Sequence, residues 1–172
     1  MRRRTTEVDR IIEFRRTVRN VRFECAVDLQ HMHNMDQTMC WFDMPQRYTN
    51  DICGVRQVRL KTTGSTKRGF TVAFCCNAVG DKLPAMLIFK ERNGVLGPLV
   101  VAQLELPPNV ILAASISGCM TQHLFIQWLT TVYGVDEQQE EPRRMLLVDL
   151  YKVHQTEESK QAIDQLCNAE VV

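Results

Sequence analysis

The stretch MLLVDLYKVHQ, Met145 to Gln155, decides the fold. Four apolar residues (Met145, Leu146, Leu147, Val148) run into a single acid, Asp149, and a histidine, His154, follows five residues later. A continuous apolar run of this length is what a parallel strand needs when both its faces are covered. Preceding it, RR and the acidic VDEQQEEP read as a connection. After it, Thr156 can cap a helix whose first turn holds Glu157 and Glu158, where carboxylates favour the helix dipole. Ala162, Ile163 and Leu166 then fall on one helical face, and the closing EVV reads as the start of another strand.

Working upstream, Thr121 caps a helix with Leu124, Phe125, Trp128, Leu129 and Val132 facing inward and Gly134 ending it. Residues 91–119 carry Gly94, Gly97, Pro98, Pro107 and Pro108, which predicts a long loop with at most a short strand. FTVAFCCNA alternates, placing Phe70, Val72, Phe74, Cys76 and Ala78 on one face. Gly80-Asp81 is a turn signal and LPAMLIFK resumes as a strand, so the two predict an antiparallel hairpin. VRQVRLKTT (55–63) is a third strand candidate, joined to the hairpin by the small-residue, basic turn TTGSTKRG. HMHNMDQTMCWFDMP reads as extended and irregular, closed by Pro45. Ile11, Phe14, Val18 and Val21 recur at helical spacing over residues 8–22. The order predicts a mixed α/β sheet with flanking helices.

At 172 residues the chain is long enough for one domain with a core, and its apolar and charged fractions, 45% and 24%, are ordinary. Net charge is +1, but eight arginines precede residue 25 against four acids. Arg15, Arg19 and Arg22 form a stripe on the first helix, which suits either a polyanion or a solvated face. Seven cysteines without a CxxC pair argue against a disulfide framework and a zinc knuckle, and fit reduced, mostly packed thiols. No apolar run approaches the ~20 residues of a membrane span, and the basic N-terminus lacks a signal-peptide core.

Two acids stand where strands should end: Asp36 in HNMDQT and Asp149 in LLVDLY. Carboxylates projecting from adjacent strand ends can share divalent metal, because Mg²⁺ takes hard oxygen ligands and keeps positions open for water and phosphate. A cap or turn role is the other reading. His31 and His33 would share a strand face, as in a zinc hydrolase. Only His123 and His154 remain as further histidines, so that pattern is incomplete. Lys61, Lys67 and Arg68 sit in a turn that lacks the P-loop order but suits contact with a phosphate backbone. His154 reads as either a group supporting Asp149, a phosphate contact, or a loop histidine bonded to backbone.

Taken together, NMDQTMCWFDMP, KTTGSTKRGFTVAFCCNAVGDKLPAMLIFK, SGCMTQHLFIQWL and LLVDLYKVHQTEE resemble, in order and spacing, the DDE domain of pogo-like transposases. That group includes Tigger and Jerky elements and centromere protein B-like proteins. The resemblance spans about residues 31–170. It implies an RNase H-like fold, with the first catalytic acid on the first strand and the second at the end of the fourth. By motif these are Asp36 and Asp149. Their implied role is to bind two Mg²⁺ or Mn²⁺ ions that activate water to nick DNA, and then activate the freed 3′-hydroxyl for strand transfer.

The departures from the family pattern are specific. Gln37 stands where the family usually has glutamate, and Leu150 follows the second acid where a polar residue is common. Ser117-Gly118-Cys119 replaces Asn-Gly-Trp. The family's third acid lies beyond Val172. The resemblance therefore implies a C-terminally incomplete domain over residues 25–172, behind a basic helix and linker over 1–24. It further implies a nuclear, DNA-binding protein with impaired cleavage, no membrane association and no small-molecule substrate, a homodimer being open. The alternative is a non-catalytic, domesticated DNA-binding or scaffold module.

Overall fold

A computed structural model describes residues 6–43, 53, 54, 56, 64, 65, 68–134 and 143–172. The third strand candidate lies almost wholly outside them, as do Pro45, Lys61, Lys67 and the acidic connection 135–142. Elements run α1 (Glu7–Glu24), β1 (Met32–Trp41), β2 (Gly69–Asn77), β3 (Ala85–Lys90), α2 (Pro98–Gln103) and β4 (Val110–Ser115). They continue with α3 (Gln122–Trp128), β5 (Arg144–Leu147), α4 (Glu157–Cys167) and β6 (Ala169–Val171). One sheet holds all six strands in the order β4-β3-β2-β1-β5-β6. β2 runs antiparallel to both its neighbours, and the remaining pairs are parallel.

The MLLV run behaves as its composition requires. β5 is paired in parallel on both edges, to β1 and β6, and Met145 and Leu146 are fully buried. The hairpin forms as expected, with Thr71 opposite Ile88 and Val72 opposite Leu87. The punctuated stretch 91–119 holds more order than its glycines and prolines suggest. Pro98 opens the short α2, and β4 pairs in parallel with β3 at the sheet edge. Among the described residues β4 makes the strand preceding Asp149 the fifth in chain order, where the resemblance implied the fourth.

One sheet face is covered by α3 and α4. Met35, Ala73, Cys75, Met86, Ile88 and Ala113 point from the strands into a cluster with Phe125, Trp128, Leu129 and Ile163. The inward residues of β2 are therefore Thr71, Ala73 and Cys75, while Phe70 and Phe74 lie on the opposite face. Phe70 there packs against Phe89 and Phe42, with ring centroids 5.2 and 5.4 Å away. Thr121 and Thr156 cap α3 and α4 through their side-chain oxygens, as their positions predict. On α4 the inward residues are Ser159, Ile163 and Cys167; Leu166, expected inward, is exposed, one step off the buried i, i+4, i+8 line.

After Trp128 the chain widens into a π-helical turn, Leu129–Tyr133, closed by Gly134 N–H donating to Leu129 O at 2.7 Å. A Cβ at Gly134 would sit 2.7 Å from that same oxygen, which explains the glycine. Arg144 ties this turn to α4. Its guanidinium donates to Tyr133 O (2.7 Å) and Cys167 O (3.1 Å) and stacks 4.6 Å above the Tyr133 ring.

Two thiols, Cys75 and Cys167, are buried, and burial pushes them up to about 12 and about 11 respectively. Cys53, Cys76 and Cys119 are exposed, so the thiols are less packed than the sequence suggests; all seven are free.

Candidate active site: two carboxylates on neighbouring parallel strands

Strand register brings the two acids together. In the β1–β5 pair Met32 lies opposite Met145, His33 opposite Leu146 and Asn34 opposite Leu147. The same offset carried two residues on puts Asp36 level with Asp149, just past the end of β5. Asp36 is not at a strand end as expected: it lies midway along β1, opposite Phe74 of β2, and it is the shorter β5 that ends near its level.

Asp36 is exposed, and its Oδ1 accepts from the Gln37 backbone N–H at 2.7 Å. Asp149 closes an Asx-type turn: its Oδ1 accepts from the Tyr151 N–H at 3.2 Å. The same oxygen lies 2.8 Å from Nδ1 of His154. Asp149 is open to solvent, its side chain 61% exposed, whereas that of His154 is 1% exposed.

His154 is held on every side. Its Nε2 lies 3.2 Å from the Gln37 amide nitrogen. An amide nitrogen only donates, so Nε2 accepts and the ring proton sits on Nδ1, from where it is donated to Asp149. Phe125 packs on one side of the ring (centroids 4.8 Å) and Tyr151 meets it edge-on (5.6 Å). Tyr151 in turn donates its hydroxyl to Met120 O at 3.3 Å. The sequence left His154 three readings: supporting Asp149, touching phosphate, or a loop histidine bonded to backbone. Its burial and its Asp149 and Gln37 partners fit the first, while its Nδ1, 3.3 Å from Asp149 O, and its backbone N–H, donated to Tyr151 O at 2.8 Å, fit the third. Gln37 was legible only as a departure from a family pattern. Its contact with His154 spans 117 residues, and no local signal announces it.

The donor set was tested against a divalent ion. Among the described residues no group of three or more His, Cys, Asp or Glu is arranged to hold a metal. Asp36 and Asp149 leave Oδ2 without a hydrogen-bond donor among the described residues, and neither faces a cation partner there. Two exposed carboxylates with free oxygens fit Mg²⁺ or Mn²⁺, which are held by one or two carboxylates together with water and substrate phosphate. The zinc pattern gains no support. His33 turns inward against Tyr133 (5.2 Å, edge-on), where burial holds its pKa below the usual imidazole range.

The sequence profile of a family described as DDE superfamily endonuclease matches residues 67–171. The chain belongs to the DDE superfamily of endonucleases. The matched span contains Asp149 and His154 but begins after β1, so the place of Asp36 rests on its motif and on the strand register. Over 162 residues the chain is 25% identical to the human "Pogo transposable element with KRAB domain" and 24% identical to its Mus musculus counterpart. These matches cover 92% of this chain and 25% of each relative, so the chain spans about a quarter of their length. They make it a pogo/Tigger-like DDE domain. Among solved structures, the Mos1 transposase paired-end complex with left transposon end and the Mos1 strand transfer complex match at TM-score 0.51. Sequence identity is 13% and 15%, over 90% of this chain and 38% of each of theirs. The fold is RNase H-like.

The basic residues separate into two places. Arg15, Arg19 and Arg22 lie on α1, a helix with no buried residue that precedes the family-matched span. They border an apolar groove of about 410 Å³ that also touches Met32 and Leu147, on the two strands that carry the acids. Arg22 additionally donates through Nε to Val27 O at 3.1 Å. Arg68 is exposed at the start of β2.

Proposed function

We propose that this chain is a nucleic-acid-binding, transposase-derived DDE domain whose ancestral activity is metal-dependent DNA cleavage and strand transfer, impaired in these residues alone. The observation that supports the reading is the parallel β1–β5 register, which reaches Asn34–Leu147, two residues short of both acids, in a family-matched chain. The two carboxylates would hold Mg²⁺ or Mn²⁺, which supplies activation of water, and then of the freed 3′-hydroxyl, at a phosphodiester. His154 fixes the Asp149 carboxylate, and Gln37 fixes the His154 tautomer. Arg15, Arg19, Arg22 and Arg68, with Lys61 and Lys67, would contact phosphates. With two carboxylates supplied here, metal is held more weakly than by three. The same reading puts the protein in the nucleus, with DNA as partner and a homodimer as a further option.

Nicking of supercoiled plasmid in Mn²⁺ tests the chemistry. Slow nicking by the unmodified chain, absent from Asp36→Ala and Asp149→Ala, is expected. Equal background from all three proteins would sink the enzymatic reading.

The exposed arginine helix favours DNA binding even if cleavage is lost. The triple variant Arg15→Ala/Arg19→Ala/Arg22→Ala is expected to flatten the dependence of log K on log salt by about 2.7, since each neutralised phosphate contributes about 0.9. An unchanged slope would remove α1 from the interface and leave the scaffold reading.

His154 is a positioning residue, and His154→Ala is expected to lower Mn²⁺ affinity by about 10- to 100-fold. Asparagine can present its amide N–H near the place of Nδ1. His154→Asn should therefore recover part of that loss, which a purely structural role for the ring would not predict.

A further inference from the structure

Beyond the carboxylates, β1 runs on to a groove that the cleavage chemistry does not use. It has a volume of about 370 Å³, and its lining includes Trp41, Phe42, Phe89, Arg68 and Lys90, together with the carboxylate of Glu91. Trp41 is 44% and Phe42 50% exposed, and both line the groove. Phe42 is not loosely placed: its ring stacks on Phe89 at 6.3 Å, and its backbone N–H donates to Arg68 O at 2.9 Å. The turn Ser117-Gly118 is fastened beneath by Thr71, whose hydroxyl donates to Gly118 O at 2.7 Å. Gly118 sits with φ +77° directly against Lys90, where an added Cβ would come within 3.0 Å of the lysine Cβ. Arg68 and Lys90 are exposed and make no ion pair among the described residues.

Open aromatic rings beside two cations have a specific chemical complement. A nucleotide offers a flat base to the rings and a phosphate to the cations. A paired duplex does not suit the groove, because its bases are already stacked on one another. Trp41 lies five residues along β1 from Asp36, about 17 Å at about 3.4 Å per residue. That is about five base steps of a B-form strand at about 3.4 Å each.

We propose that this groove is a stacking subsite for an unpaired nucleotide, Trp41 and Phe42 taking the base and Arg68 and Lys90 the phosphates. It would hold a single-stranded end or flank a few steps from the phosphodiester at Asp36 and Asp149. The proposal rests on the reading of DNA as substrate.

Tryptophan fluorescence of the full chain tests it, because the second tryptophan, Trp128, is fully buried. Titration with a short oligothymidylate is expected to quench the Trp41 emission, and Trp41→Phe should abolish that change. Phe42→Ala should weaken oligothymidylate binding by about tenfold, while binding of the same length of duplex, read by anisotropy, stays within about twofold of the unmodified chain. Duplex binding that persists while oligothymidylate neither quenches Trp41 nor distinguishes Phe42→Ala overturns the subsite and leaves the DNA-binding reading standing. No binding of either nucleic acid overturns both. A Trp41 emission that shifts with protein concentration alone would make this face a contact between copies, and also overturns the subsite. Should Phe42→Ala fail to fold, the quenching of the unmodified chain still decides.

Discussion

Replacing Asp149 with alanine is expected to weaken Mn²⁺ binding by about 100-fold or more. Loss of groups that merely support a ligand already costs 10- to 100-fold, and a direct ligand cannot count for less. Asp36→Ala should cost a similar amount, since the β1–β5 register, carried two residues on, puts the two carboxylates level and gives neither a substitute. The measurement is Mn²⁺ binding followed by electron paramagnetic resonance, which needs no turnover and so reads the site directly. The double variant should be little worse than either single one, because one remaining carboxylate hardly holds the ion. Independent, additive losses would mean two separate weak sites. Full retention by Asp149→Ala would mean that the strand-end acid is only the Asx-turn residue seen in its bond to the Tyr151 N–H. The control is built into the site: Asp149 is largely exposed, so its truncation leaves no cavity, and the fold should survive.

That an acid is expected at position 149 at all was readable from the sequence, and the reason is physical. A two-side-buried parallel strand must be apolar along its whole length, so the first charged residue marks its exit from the core. The hairpin, the Thr121 and Thr156 caps and the inward face of α3 were legible for the same kind of reason, since each is a local rule of period or capping. What escaped was non-local or close to balanced. In β2 the bulkier face, Phe70 and Phe74, invites assignment to the core. The core there is already filled by Phe125 and Trp128, and it takes the small Ala73 and Cys75 instead. β4 was legible only as one short strand within a long loop, because Pro107 and Pro108 sit just ahead of its six residues. The motif named Asp36 and Asp149 as candidates, whereas nothing in the sequence signalled the Gln37–His154–Asp149 chain. It joins β1 to a loop across the sheet, and only the fold brings them together.

The aromatic stack behind that chain sets the other large effect. Trp128 is fully buried and lies between Phe125 (ring centroids 6.0 Å, 9° between planes) and Tyr133 (5.5 Å, 11°). Phe125 carries the stack on to His154, and His154 to Asp149. Trp128→Ala is expected to destabilise the fold by about 3–5 kcal/mol, the range for emptying a large aromatic site in a close-packed core. Tyr133 is pinned by the Arg144 guanidinium and Phe125 by α3, so the neighbours cannot close over the cavity, which argues for the upper half of that range. Trp128→Phe should cost less than half as much. It keeps a ring in the stack, and the indole Nε1 it removes has no hydrogen-bond partner to lose among the described residues. Urea unfolding followed by far-UV circular dichroism measures both variants without relying on the tryptophan itself. A loss below about 1 kcal/mol for Trp128→Ala would show that the stack does not anchor the core. The rigidity of His154 would then have to come from Gln37 and Tyr151 alone.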